Sequence, residues 1–246
     1  MNADEKKPMP DSRSRVLASI RQSLASARLP QAPAVMLPTP SLDTLRSTLS
    51  EASGRHSSLV EQFAKELRAL SGVFLPERVE KIPALVTQLL RDRGADSVLA
   101  WQAESLPVPG LLDHLRREGV KVPGAEIPLD DPMRSQRLQE IERVRVGLTG
   151  VDAVLADTGT LALRSGPGRS RLASLSVEAH IALFTADQIY ASWADWWDQL
   201  NARAEWVSGA SNLTLISGPS RTADIEMTLT TGVHGPGEVI VVLVQI

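Results

Sequence analysis

The chain has 246 residues, a formal net charge of −3, 43% hydrophobic and 22% charged residues, and no cysteine. That length can bury one large core, so stability requires neither a disulfide nor a structural metal. Without cysteine this polypeptide cannot form a disulfide, use a thiolate nucleophile or hold an iron–sulfur cluster through its own thiolates.

Mild acidity supplies no pull toward nucleic acid, and three Phe and one Tyr beside five Trp leave little base-stacking surface. The N-terminal stretch MNADEKKPMPDSRSR is polar, and no run approaches the roughly 20 apolar residues of a membrane span. A cytoplasmic protein with neither nucleic-acid partner nor membrane span is expected.

Residues 11–28 place Val16, Leu17, Ile20 and Leu24 on one helical face and carry four arginines. Pro30, Pro33, Pro38 and Pro40 then predict an extended connector. The expected organisation is a helical arm and Pro-rich connector over 1–40 and an α/β domain over 41–246. The arm either packs on its own domain or docks on a partner subunit.

Leu59, Phe63, Leu67 and Leu70 predict a helix over 56–70, and Ile82, Leu85, Val86, Leu89 and Leu90 another over 79–93, ended by Gly94. Short strands at 97–101 and 120–122 flank a helical pattern at Leu111–Arg117, as a βαβ unit does. A charged helix over 133–145 turns Leu138 and Ile141 inward.

Val154 and Leu155 lead into Asp157-Thr158-Gly159, and Leu161 and Leu163 lead out, which predicts a hairpin. Strands are expected at 181–184, 213–216 and 239–244, with a helix over 192–200 whose Trp193 and Trp197 form a packed face, Trp196 at its edge. The run Val239–Val244 is apolar on both faces and belongs at a sheet centre.

Two strand-like runs end alike, in Arg164-Ser165-Gly166-Pro167-Gly168-Arg169 and Ile216-Ser217-Gly218-Pro219-Ser220-Arg221. Gly and Pro stop a strand, so Arg169 and Arg221 are expected on loops, where guanidinium forks could jointly hold a small organic anion. The same motif also serves as a plain turn with a solvated arginine. The second loop reads as the entry to a short helix capped by Ser220 or Thr222, with Arg221 latched to Asp224 or closing over an anion that the amides of Gly218, Ser220 and Gly235 orient.

His234, in Thr231-Gly232-Val233-His234-Gly235-Pro236-Gly237, is a candidate acid/base group, as is His180 at a strand entry. Asp157 is a candidate nucleophile or base, although turn chemistry explains it equally. The four histidines, at 56, 114, 180 and 234, lack metal-ligand spacing, so no metal site is expected.

The stretches VGLTGVDAVLADTGTLALRSGPGRSRLASL, HIALF, LTLISGPSRTADIE and TGVHGPGEVIVVLV together resemble the lactate-utilisation protein C family, whose core is the LUD domain. The resemblance implies a three-layer α/β sandwich with a largely parallel sheet, related to glucosamine-6-phosphate deaminase, ribose-5-phosphate isomerase and CoA-transferases. It also implies a cytoplasmic subunit of a system that converts L-lactate to pyruvate, with iron–sulfur clusters only in companion proteins and no cofactor in this chain. Many relatives carry glutamate where Asp157 stands, so no catalytic residue is assigned. A stand-alone enzyme acting on a sugar phosphate or acyl-CoA, and a non-catalytic assembly module, are the alternatives.

Overall fold

Strands rich in Val, Ile and Leu that are buried on both faces can pair only inside a layered α/β structure, and such strands form the centre of this protein's five-stranded sheet. The computed structural model describes residues 16–19, 21–22, 42–127, 130–201, 209–223 and 229–246. Residues 16–19 and 21–22 are helical, with Val16 and Leu17 exposed; the rest of the expected arm and connector lies outside the described residues. Pro40–Ile246 make up one compact unit.

In chain order that unit contains α1 (Leu42–Ala69), β1 (Val73–Arg78), a short 3₁₀ turn, α2 (Ile82–Asp92), β2 (Val98–Ala100), α3 (Leu111–Arg117) and α4 (Arg134–Glu142). There follow β3 (Val146–Gly150), β4 (Ala153–Leu155), β5 (Thr160–Ser165), α5 (Leu172–Leu175), β6 (Ala179–Thr185), β7 (Ile189–Tyr190) and α6 (Trp193–Asn201). The last elements are β8 (Asn212–Ile216), β9 (Arg221–Ala223), β10 (Leu229–Thr231) and β11 (Glu238–Gln245).

The central sheet has the order β1-β11-β6-β3-β2, and every pairing in it is parallel. Six successive residues of β11, Val239 to Val244, are buried, as the doubly apolar run predicted. A second sheet, β7-β4-β5-β8, is mixed, and β9 with β10 forms a small antiparallel ribbon. This is the α/β class with a largely parallel sheet read from the sequence.

Helical periodicity decides which faces the helices bury. On α1, Phe63 and Leu67 lie one turn apart and are fully buried, and Phe63 packs edge-on to Phe74 and Phe184 at 6.0 and 5.8 Å between ring centroids. Ile82, Val86 and Leu90 repeat the pattern on α2. The predicted strand at 120–122 is reduced to one bridge, Ser97 to Lys121, so the βαβ unit there is incomplete.

Two further expectations are corrected. On α6 it is Trp196 that is fully buried, against Ala153, Leu155, Ala162 and Leu200, whereas Trp193 and Trp197 stack 5.6 Å apart and are 37% and 41% exposed. The residues after Pro219 do not open a helix: Arg221–Ala223 is a strand paired with Leu229–Thr231, so Ser220 and Thr222 cap nothing there.

Helix α5 lies directly on β3. A Cβ placed on Gly147 would come 1.7 Å from the carbonyl oxygen of Ala173, so only glycine lets this helix reach the sheet. Beside it, His180 on β6 is fully buried and its Nε2 lies 2.8 Å from Thr149 Oγ1. Nδ1 has no partner among the described residues. Burial disfavours the imidazolium and pushes the His180 pKa down from 6.5 to about 4.

Gly147→Ala is expected to cost about 2 kcal/mol or more, because the backbone of α5 must move to admit one methyl; a denaturant midpoint equal to wild type would contradict the contact. The unfolded chain binds a proton at His180 near pH 6.5 that the folded chain refuses until about pH 4. Stability is therefore complete above the higher value and is lost through that window by roughly 3 kcal/mol. Thermal unfolding followed from pH 7 to 4.5 should fall more steeply in wild type than in His180→Leu. Parallel curves would show that His180 is not the buried base.

Candidate functional site

The hairpin β4–β5 pairs Ala153 with Ala162, Val154 with Leu161 and Leu155 with Thr160. Continued one step, this register sets Asp152 opposite Leu163 and next to Arg164. The Asp152 carboxylate is buried and accepts four hydrogen bonds. They come from the Arg164 backbone N–H at 2.6 Å, Arg164 Nε at 2.9 Å, Arg164 Nη2 at 2.7 Å and Arg169 Nη1 at 2.8 Å. One carboxylate thus faces two guanidiniums.

Arg169 is the more accessible of the two, its side chain 31% exposed against 17% for Arg164. Its Nε donates to Ser105 Oγ at 3.1 Å, and its guanidinium lies 5.3 Å from the centre of the Trp101 ring. The loop carrying it is pinned to the segment after β2. Gln102 N–H donates to Gly168 O at 2.8 Å, and Trp101 Nε1 donates to Ser170 O at 3.2 Å. The backbone N–H of Gly168 donates to the Glu126 carboxylate.

These groups lie past the carboxyl ends of β2, β3 and β6, where open α/β sheets bind ligands. A cleft of about 500 Å³ opens there between Glu126, Ser165–Pro167, Arg169–Arg171, Ser211 and Asn212. A second, of about 470 Å³, lies across Glu126, lined by Trp101–Glu104, Arg116, Gly168 and Ser170 among others. A third, of about 230 Å³, reaches Arg169 from Ser105, Gly150, Thr185 and Gln188.

Arg221 is elsewhere. Helix α1 ends with Gly72 N–H donating to Leu67 O at 2.9 Å and Ser71 N–H to Arg68 O at 2.9 Å, Ser71 standing at φ 67°. The carbonyl of Leu70, left over by that ending, accepts from Arg221 Nη2 at 2.6 Å, and Ser71 Oγ accepts from the same nitrogen at 2.7 Å. Arg221 thereby caps the negative end of a helix.

Gly218, at φ 77°, packs so closely on Leu70 that a Cβ would lie 2.8 Å from the Leu70 Cβ. These contacts precede β1, at the amino end of the parallel sheet. The two arginines therefore sit at opposite ends of the sheet, and the shared cavity expected for Arg169 and Arg221 does not form.

The structure does join the second arginine loop to the histidine loop: Ser220 N–H donates to Pro236 O at 2.8 Å, and Gly232 N–H to Ser220 O at 3.0 Å. Gly235 lies against Ser220, while His234 is exposed. Asp157 is exposed at the hairpin tip, its carboxylate accepting from Thr158 Oγ1 at 3.2 Å. Neither His234 nor Asp157 lines the clefts around Arg169. Thr222 lies on β9, and Asp224 is outside the described residues. Among the described residues no group of three or more His, Asp or Glu is placed to hold a metal, and no helix is long and apolar enough to cross a membrane.

Sequence reasoning missed Asp152, Arg164, Ser105, Trp101 and Glu126. Arg164 carried a signal: a cation inside an apolar strand needs a partner, and the hairpin register points to Asp152. Ser105, Trp101 and Glu126 come from distant segments, and their sequence surroundings give no such pointer.

Comparison with known proteins places the LUD domain pattern over residues 60–244. A lactate utilization protein C of Halalkalibacterium halodurans is 30% identical over 76% of this chain and 80% of its own. Another protein of that name, from Macrococcus caseolyticus, is 29% identical over 72% and 74%. A crystal structure of a DUF162 family protein from Deinococcus radiodurans superposes with a TM-score of 0.55 at 21% identity, covering 77% of this chain and 98% of that one. That likeness fits a three-layer α/β sandwich.

Replacing Asp152 with alanine should destabilise the protein by about 3 kcal/mol, since it removes the buried carboxylate that two half-buried guanidiniums share. Urea unfolding measures this. A loss below about 1 kcal/mol would mean that the cluster is solvated, as surface ion pairs are.

Proposed function

This chain belongs to the LUD domain family, and on that footing we propose that it serves in lactate utilisation, as a cytoplasmic subunit acting with iron–sulfur companion proteins in converting L-lactate to pyruvate. The observation that carries the reading is the match, over about three-quarters of both chains, to relatives named lactate utilization protein C. The absence of cysteine agrees with it. Oxidising a 2-hydroxy acid to a 2-oxo acid removes two electrons and two protons, and any cysteine-ligated cluster receiving those electrons must sit on another polypeptide.

Within such a system this chain binds a small organic anion. The partly exposed guanidinium of Arg169, held on a cleft past the strand ends, supports that part. The alternative of a stand-alone sugar-phosphate or acyl-CoA enzyme draws no comparable support, because Asp157 and His234 lie away from the cleft.

The test is growth. Deleting the gene from its host should abolish growth on L-lactate as sole carbon source and leave growth on glucose intact, and the gene supplied in trans should restore it. Undiminished growth of the deletion strain on lactate would remove the reading.

A further inference from the structure

A carboxylate that reaches across the fold to a backbone amide beside a partly free guanidinium occupies the position a carboxylate ligand would take. Glu126 does this: it is exposed, lies 42 residues before Gly168, and accepts from the Gly168 N–H. Gly168 immediately precedes Arg169, whose Nη1 and Nε are committed to Asp152 and Ser105 while Nη2 donates to no described group. We propose that the cleft beside Arg169 is a binding site for a small monocarboxylate, and that Glu126 is its built-in competitor, which the ligand displaces from the Gly168 amide.

The charges favour the exchange. Arg169 and Arg171 stand against Glu126 on the cleft wall. With Glu126 swung into water the wall presents one negative charge fewer to the incoming anion. Release costs little, because an exposed glutamate regains its hydration. Arg169 itself hardly moves: Asp152, Ser105 and Trp101 fix its guanidinium in advance, so the entropy of ordering a long side chain is already spent in the free protein.

The carboxylate assignment stands on Glu126 and Arg169, whereas the choice of three-carbon acids as probes rests on the lactate-utilisation reading. Isothermal titration of the full chain with pyruvate, L-lactate and inorganic phosphate is the experiment, on wild type, Glu126→Ala and Arg169→Met, with unfolding curves as controls. Pyruvate or lactate is expected to bind wild type, about tenfold more tightly to Glu126→Ala, and at least tenfold more weakly to Arg169→Met. Because Glu126→Ala tests a gain, a folding defect in Arg169→Met does not blunt the result.

No binding of either acid to wild type and Glu126→Ala at millimolar concentration, unchanged affinity in Glu126→Ala, or tighter binding of phosphate would each overturn the proposal. The growth test separates the two readings. Lactate growth that depends on the gene without acid binding removes the site alone, and acid binding without a growth defect removes the pathway alone.

Discussion

One buried carboxylate holds the ligand-side end of this protein together. Asp152 enters the fold immediately after β3, and its oxygens organise the end of β5 through Arg164 and the following loop through Arg169. In a medium of low dielectric such a group persists only when its charge and lone pairs are met, and here two guanidiniums and a backbone amide meet them. The same arrangement holds the Arg169 guanidinium, 31% exposed, at the edge of the cleft. What stabilises the end of the hairpin therefore also places a guanidinium on the neighbouring cleft.

The two ends of the parallel sheet divide the work. At the carboxyl end, strand termini, the Trp101–Ser105 segment and the Arg169 loop surround open clefts. At the amino end the loops close on helix α1 and on each other: Arg221 caps α1, Gly218 lies against Leu70, and the loop before β11 bonds to Ser220. Two nearly identical Ser-Gly-Pro turns thus have unlike roles, since each takes its function from whatever backbone it meets. The antiparallel pairing of β5 with β8 explains the separation: Leu161 lies beside Ile216 and Ser165 beside Asn212, so turns that follow both strands must leave at opposite ends.

Glycine and histidine placement shows how closely the sheet is covered. The carbonyl of Ala173 occupies the space a Cβ on Gly147 would need, and burial of His180 beside it keeps the ring neutral. A histidine at a strand entry has the residue type of an acid/base catalyst, but burial without a charged partner removes the proton that such chemistry needs near neutral pH.

Local pattern was enough for the elements themselves. Period-2 and period-3.6 spacing located α2, the β4–β5 hairpin, β6, α6, β8 and β11, because those periods follow from backbone geometry that each segment carries alone. The doubly apolar Val239–Val244 run likewise declared a covered, central strand. Which tryptophan of α6 turns inward, whether residues after Pro219 form helix or strand, and which groups meet Arg169 and Arg221 were decided only by tertiary structure. Trp196, Arg221, Glu126 and Ser105 take their roles from partners as far as 151 residues away. The reason is physical: a side chain's charge and shape are written in its own segment, but its partner is chosen by strand order and direction, which depend on how all the apolar faces are buried at once.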